Sequence, residues 1–176
     1  MTAFVSFFRG INVGGHNRVT MTHLKALHES LGLKQVATYI QSGNVVFHHE
    51  MDATHLKRQI EAHFEETFGF RAEVVVRTLD ELNALIENNP FEGHADKELK
   101  WIVVFFLAEA PHEAAALLQT YIGPEEIHII GKELFVYYPE GMGRSKLTSS
   151  LIERKLKTVG TARNWNTVVQ VHKMMQ

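Results

Sequence analysis

Arginine, asparagine and glycine dominate Arg9-Gly-Ile-Asn-Val-Gly-Gly-His-Asn17. An arginine fork grips phosphate or carboxylate through paired N–H bonds, and glycines let backbone amides approach a ligand. A second polar stretch, Gln41-Ser-Gly-Asn44, lies between two apolar runs further along the chain. Arg9, Gly10, Asn12, Gly14, Gly15 and Asn17, with Gln41, Ser42, Gly43 and Asn44, form a first candidate site for a small phosphate-bearing or nucleotide-like anion. The spacing matches neither a dinucleotide fingerprint nor a phosphate loop ending in Gly-Lys-Ser/Thr. The same residues also suit plain turns, with glycine supplying positive φ and asparagine bonding its own backbone.

Gly143, Arg144, Ser145 and Lys146 form a second candidate, because basic residues and an N-cap serine ahead of a helix suit an anion. An ordinary capped helix with a solvated basic face is the favoured reading of them. Arg163, Asn164, Trp165 and Asn166 form a third, since an arginine beside an exposed tryptophan can stack and hydrogen-bond a base. Asn164 as an N-cap, with Trp165 opening an apolar helix face, is the competing reading. His16 is the candidate acid–base partner for an enzyme (hydrolase or transferase) using the first site. No nucleophile or catalytic carboxylate pair can be assigned. The eleven histidines include the group His48, His49 and His55, but no metal-ligand spacing, so neither a metal nor a cofactor is expected.

Composition narrows the classes. The 176 residues are 45% hydrophobic and 22% charged, values typical of a globular chain. Eighteen basic and twenty acidic residues leave a net charge of −2, which disfavours a dedicated duplex-DNA binder. Cysteine is absent, which removes thiolate chemistry and disulfides and fits a reducing, cytoplasmic compartment. No signal peptide and no membrane-spanning run is recognisable. Oligomeric state is not encoded in any feature of the pattern.

These candidates need elements to hold them. Ala3–Phe8 reads as a strand buried on both faces, and Thr20 caps a helix carrying Leu24, Leu27 and Leu31. Gln35–Ile40 and Asn44–His48 form a hairpin, a helix follows from about Asp52, and Phe70–Arg77 is a strand. The order is β-α-β-β-α-β, the ferredoxin-like arrangement. Residues 79–98 form a connecting helix and loop, opened by the capping box Thr78-Leu-Asp-Glu81. The chain then restarts: a strand over Leu99–Ala108, a helix over Pro111–Tyr121, and a hairpin at Gly131-Lys132. A helix from about Lys146 and another from about Trp165 complete it. The expectation is an α+β chain of two ferredoxin-like halves, 1–78 and 99–176, the second lacking its last strand and ending in helices. Val5-Ser-Phe-Phe8 and Val103-Val-Phe-Phe106 suggest duplication.

In this order of elements the third strand lies between the first two, so the Arg9 loop and the Gln41 hairpin share one end of the sheet. Phe8-Arg-Gly-Ile-Asn-Val-Gly-Gly15, Tyr39-Ile-Gln-Ser-Gly-Asn-Val-Val-Phe47, Lys146-Leu-Thr148 and Thr161-Ala-Arg-Asn-Trp-Asn-Thr167 resemble the bacterial domain-of-unknown-function 1697 family. The resemblance implies a compact α+β protein of ferredoxin-like units and no established activity. The leading functional expectation is a small anionic ligand between the two loops. The alternatives are an enzyme using the same cleft, or a single-stranded nucleic-acid module using Arg144, Lys146, Arg163 and Trp165.

Overall fold

The computed structural model describes residues 1–112 and 117–176. They divide into two compact units, one of residues 1–84 with 170–176 and one of residues 85–169.

The first unit contains β1 (Thr2–Phe8), α1 (Met21–Ser30), β2 (Lys34–Tyr39), β3 (Asn44–His49), α2 (Ala53–Phe68) and β4 (Val74–Thr78). Its sheet is antiparallel with order β2-β3-β1-β4. Phe4 and Phe8 alternate along β1 onto the face that also carries Val45, Phe47, Val74 and Val76. Leu24 and Leu27 of α1 and Leu56, Ile60 and Phe64 of α2 bury against that face. Val5 and Phe7 are buried as well, so both faces of β1 are covered, as apolar residues on both sides of Ser6 predict. Local signals set the helix ends: the Thr20 and Asp52 side chains accept from the backbone N–H of His23 and His55. Strand β4 begins later than expected; Phe70 stays outside it and packs edge-on against Phe64.

A helix, α3 (Leu79–Glu87), follows β4. Its capping box forms as predicted, with Thr78 Oγ1 accepting from Glu81 N–H and Glu81 accepting from Thr78 N–H.

The second unit holds β5 (Ile102–Leu107), β6 (Glu126–Ile130), β7 (Glu133–Tyr137), α4 (Ser149–Leu156) and β8 (Gly160–Asn164); α5 (Trp165–Met175) runs on from it. Residues 113–116 of the helix expected over Pro111–Tyr121 lie outside the described residues. The sheet order is β6-β7-β5-β8, again antiparallel, so a fourth strand is present where helices alone were expected. Gly160-Thr-Ala-Arg-Asn164 lacks the branched apolar alternation that announces a strand. Pairing with five consecutive residues of β5 makes it one. The helix expected from Lys146 starts instead at Ser149, capped by Thr148 rather than Ser145.

The two units repeat one device. Arg77 opposes Val5, and Arg163 opposes Val104. Each is a buried arginine just before the N-cap of a helix, Thr78 or Asn164. This register equates Val5 with Val104, one residue away from the match of Val5-Ser-Phe-Phe8 with Val103-Val-Phe-Phe106. A slip of one residue would turn every side chain to the wrong face.

Candidate functional site

The chain leaving β1 is fastened on two sides. Phe8 N–H donates to Gly43 C=O at 2.9 Å, and Arg9 N–H donates to Glu73 C=O at 2.9 Å. The Arg9 loop and the Gln41 hairpin therefore meet, as the strand order requires.

Asn12 is the clasp between them. Its Nδ2 donates to Val19 C=O at 2.9 Å and to Gln41 C=O at 2.8 Å, while Oδ1 accepts from Val19 N–H at 2.8 Å. Asn12 N–H donates to Asn17 C=O at 3.0 Å, and both residues take the left-handed backbone conformation, with φ of 55° and 54°. Asparagine tolerates that region better than other side-chain-bearing residues. Asn44, fully buried, donates from Nδ2 to Tyr39 C=O and Ser42 Oγ. Gly43 has φ of 89°, and a Cβ there would lie 2.6 Å from Ile11 Cδ1 and 2.9 Å from Phe8 Cβ. Much of the polar chemistry of the two motifs thus builds the loops themselves.

Beside this clasp lies a cleft of about 630 Å³. Arg9, Gly10 and Asn17 line it from the loop, Arg58, Glu61 and Glu65 from α2, and Arg71 and Glu73 from the segment entering β4. Gln41 and Ser42 are exposed on the hairpin outside it, and Gly14, Gly15 and His16 are exposed in the loop. The structure therefore keeps three of the ten expected residues at the cleft and adds Arg58, Glu61 and Glu65 from the polar face of α2 and Arg71 and Glu73 from the segment before β4. The i, i+4 spacing of Glu61 and Glu65, next to Arg58, was the available signal.

The charges in the cleft are unequally engaged. Glu61 accepts from Lys57 Nζ at 2.6 Å and from Val74 N–H at 2.9 Å, which ties α2 to the start of β4. Arg71 and Glu65 form an exposed ion pair at 3.5 Å. Among the described residues, neither the Arg58 guanidinium nor the Glu73 carboxylate has such a partner.

The second expected site is arranged against an anion. Ser145 Oγ donates to Glu125 at 2.5 Å and accepts from Leu147 N–H. Burial acts to raise the Glu125 carboxyl, but hydrogen bonds from Ser145 and Tyr121 outweigh it and hold it below its ordinary value. A carboxylate thus occupies the serine, while Gly143, Arg144 and Lys146 are exposed. At the third site, Arg163 and Trp165 are buried, at 6% and 5% exposure, which withdraws both from stacking with a base. Arg163 Nη1 donates to Thr161 Oγ1 and Ala162 C=O, and burial brings its pKa down to about 10. Asn164 caps α5 by accepting from Thr167 N–H, and Asn166 is exposed.

One further pair resembles hydrolase chemistry: Ser30 Oγ lies 2.8 Å from His63 Nε2, with Glu66 3.9 Å from Nδ1. The polarity is wrong for it. Ser30 donates its proton to Leu27 C=O at 2.7 Å, so His63 is the donor to Oγ rather than its base. Ser30 also ends α1, where carbonyls rather than N–H groups gather. Among the described residues no cluster of three His, Asp or Glu side chains could hold a metal, and no helix is long and apolar enough to cross a membrane.

A conserved bacterial protein from Streptococcus pneumoniae has a solved structure similar to this one. The TM-score is 0.80 at 24% sequence identity, over 99% of both chains. That likeness carries the fold alone. No match to curated proteins is found. The model of the DUF1697 family, described as protein of unknown function, matches residues 1–135, and the chain belongs to that family.

Proposed function

We propose that the protein binds a small phosphate-bearing or nucleotide-like ligand in the Arg9 cleft, with the Gln41–Asn44 hairpin bracing the loop from behind. One observation carries this reading: Arg9, Arg58 and Arg71 converge on a single cleft large enough for a small molecule. With Glu61 and Glu65 already paired to Lys57 and Arg71, the Arg58 guanidinium is left to receive an anion. The Glu73 carboxylate is left to accept from a hydroxyl. A phosphate joined to a polyol, as in a sugar phosphate or nucleotide, supplies both groups. We further read each unit as ferredoxin-like and the chain as a duplication. The shared strand order and the paired Arg77 and Arg163 positions support this.

A thermal-shift panel of nucleotides, sugar phosphates and polyphosphates tests the binding. A ligand at a hundred times its Kd stabilises the native state by about 2.7 kcal/mol. The expected result is a shift with at least one phosphate-bearing compound that shrinks in Arg9→Ala. No shift at millimolar concentrations, or one identical in the variant, counts against the proposal.

A further inference from the structure

The second unit has a pocket of its own, about 280 Å³, lined by Trp101, Val103, Tyr138, Met142 and Ala162, with Lys100 and Asn164 as its charged and amide groups. We infer that it binds a single planar heterocycle of purine size, stacked on Trp101 and held at its edge by Asn164.

The volume lies at the small end of ligand sites, enough for one fused ring system and too little for a whole nucleotide. The walls are mostly apolar, and Trp101 gives a ring surface on which a heterocycle gains stacking energy whatever its substituents. This wall is preformed. Trp101 N–H donates to Glu98 C=O, and Tyr138 N–H donates to Trp101 C=O. Tyr138 Oη donates to Leu147 C=O at 2.9 Å. Gly141 lets the following turn close over the indole: a Cβ there would stand 3.2 Å from Trp101 Cζ3, on a backbone with φ of 85°. Lys100 Nζ lies over the indole, 5.0 Å from its centre, and pairs with Glu98 at 3.3 Å; both side chains are exposed, so a stacking ring displaces a solvated contact.

Asn164 supplies the selectivity. Its Oδ1 is fixed by accepting from Thr167 N–H at 2.8 Å, which sets the orientation of the whole amide. Nδ2 has no partner among the described residues, and Oδ1 keeps a second lone pair. Adjacent donor and acceptor on a rigid amide match the N6–N7 edge of adenine. Asn164 is exposed, so water meets both groups in the empty pocket, and a plain hydrocarbon ring gains no bond from them.

Free adenine is the probe, because it carries no phosphate and does not report on the Arg9 cleft. Calorimetric titration of the full chain with millimolar adenine should show saturable binding, accompanied by quenching of tryptophan fluorescence. Trp101→Leu should weaken binding at least about fivefold. Asn164→Ser, which keeps an N-cap oxygen, should weaken it while leaving the unfolding temperature near that of the natural chain. Absence of saturable binding, or an affinity in both variants equal to that of the natural chain, overturns the inference. Should Trp101→Leu fail to fold, the Asn164→Ser comparison decides alone.

Discussion

The Ser6 hydroxyl donates to His28 Nε2 across 2.9 Å, in a part of the first unit closed to water. The direction follows from the other ring nitrogen: His28 Nδ1 lies 2.8 Å from Leu24 C=O, which can only accept, so the proton sits on Nδ1. Phe8 and Phe47 rings lie against the imidazole. Burial there lowers the His28 pKa from 6.5 to about 4, although the bond to Leu24 works in the opposite sense.

Stability should therefore fall on mild acidification. The unfolded chain takes up the His28 proton near pH 6.5, whereas the folded state refuses it until about pH 4. Between those values the unfolded state binds more protons, so stability rises with pH and is lost as pH drops. About 2 kcal/mol should disappear between pH 7 and pH 5 from this group. Urea unfolding at both pH values checks it. His28→Gln should be less stable at pH 7 but show a flatter pH dependence; an unchanged pH dependence would exclude His28 as the cause.

Gly43→Ala should destabilise the first unit by about 2–4 kcal/mol. The added methyl meets Ile11 and Phe8 inside normal contact distance, and the backbone is in the left-handed region as well. Chemical denaturation measures the loss. A change below about 0.5 kcal/mol, the usual surface value, would show that the two loops do not pack as described.

Asn12→Ala removes three hydrogen bonds and leaves the Val19 and Gln41 backbone groups without their partner. A cost of about 1–3 kcal/mol is expected. Faster hydrogen exchange at the Val19 amide is the local signature. Asn12→Asp should not rescue, because a carboxylate accepts from Val19 N–H but repels the carbonyls of Val19 and Gln41. Full rescue by aspartate would argue that the donor bonds contribute nothing.

Arg58→Glu should leave unfolding within about 0.5 kcal/mol of the natural chain, since the guanidinium is exposed and has no ion-pair partner among the described residues. Stabilisation by a phosphate-bearing ligand should drop at least about tenfold in apparent affinity. Undiminished stabilisation would place the ligand elsewhere.

The residues show why some features were legible in the sequence and others were not. Thr20, Asp52 and the Thr78–Glu81 box act on backbone within three residues, so the helix starts they set can be read locally. Strand β8 cannot, because glycine, alanine and a buried arginine become a strand only through β5. Ser145 and Thr148 are chemically interchangeable as caps. A carboxylate twenty residues away, Glu125, claims the serine and leaves the cap to threonine. At the candidate site, strand order brought the Arg9 loop to the hairpin. Arg58 and Arg71 escaped notice because a guanidinium on a polar helix face or in a connecting segment looks the same in sequence whether it faces solvent or a cleft.

The Asn12 clasp separates the address of the site from its selectivity. Its side chain is taken up in joining Val19 to Gln41, so it dictates where the cleft wall stands and contributes little to what the wall attracts. In the proposed binding reading, recognition falls to Arg9 and to side chains outside the motif, at positions 58, 71 and 73. Two proteins sharing the clasp can hold the same cavity in the same place and still differ in ligand, through changes at those positions that leave the fold untouched.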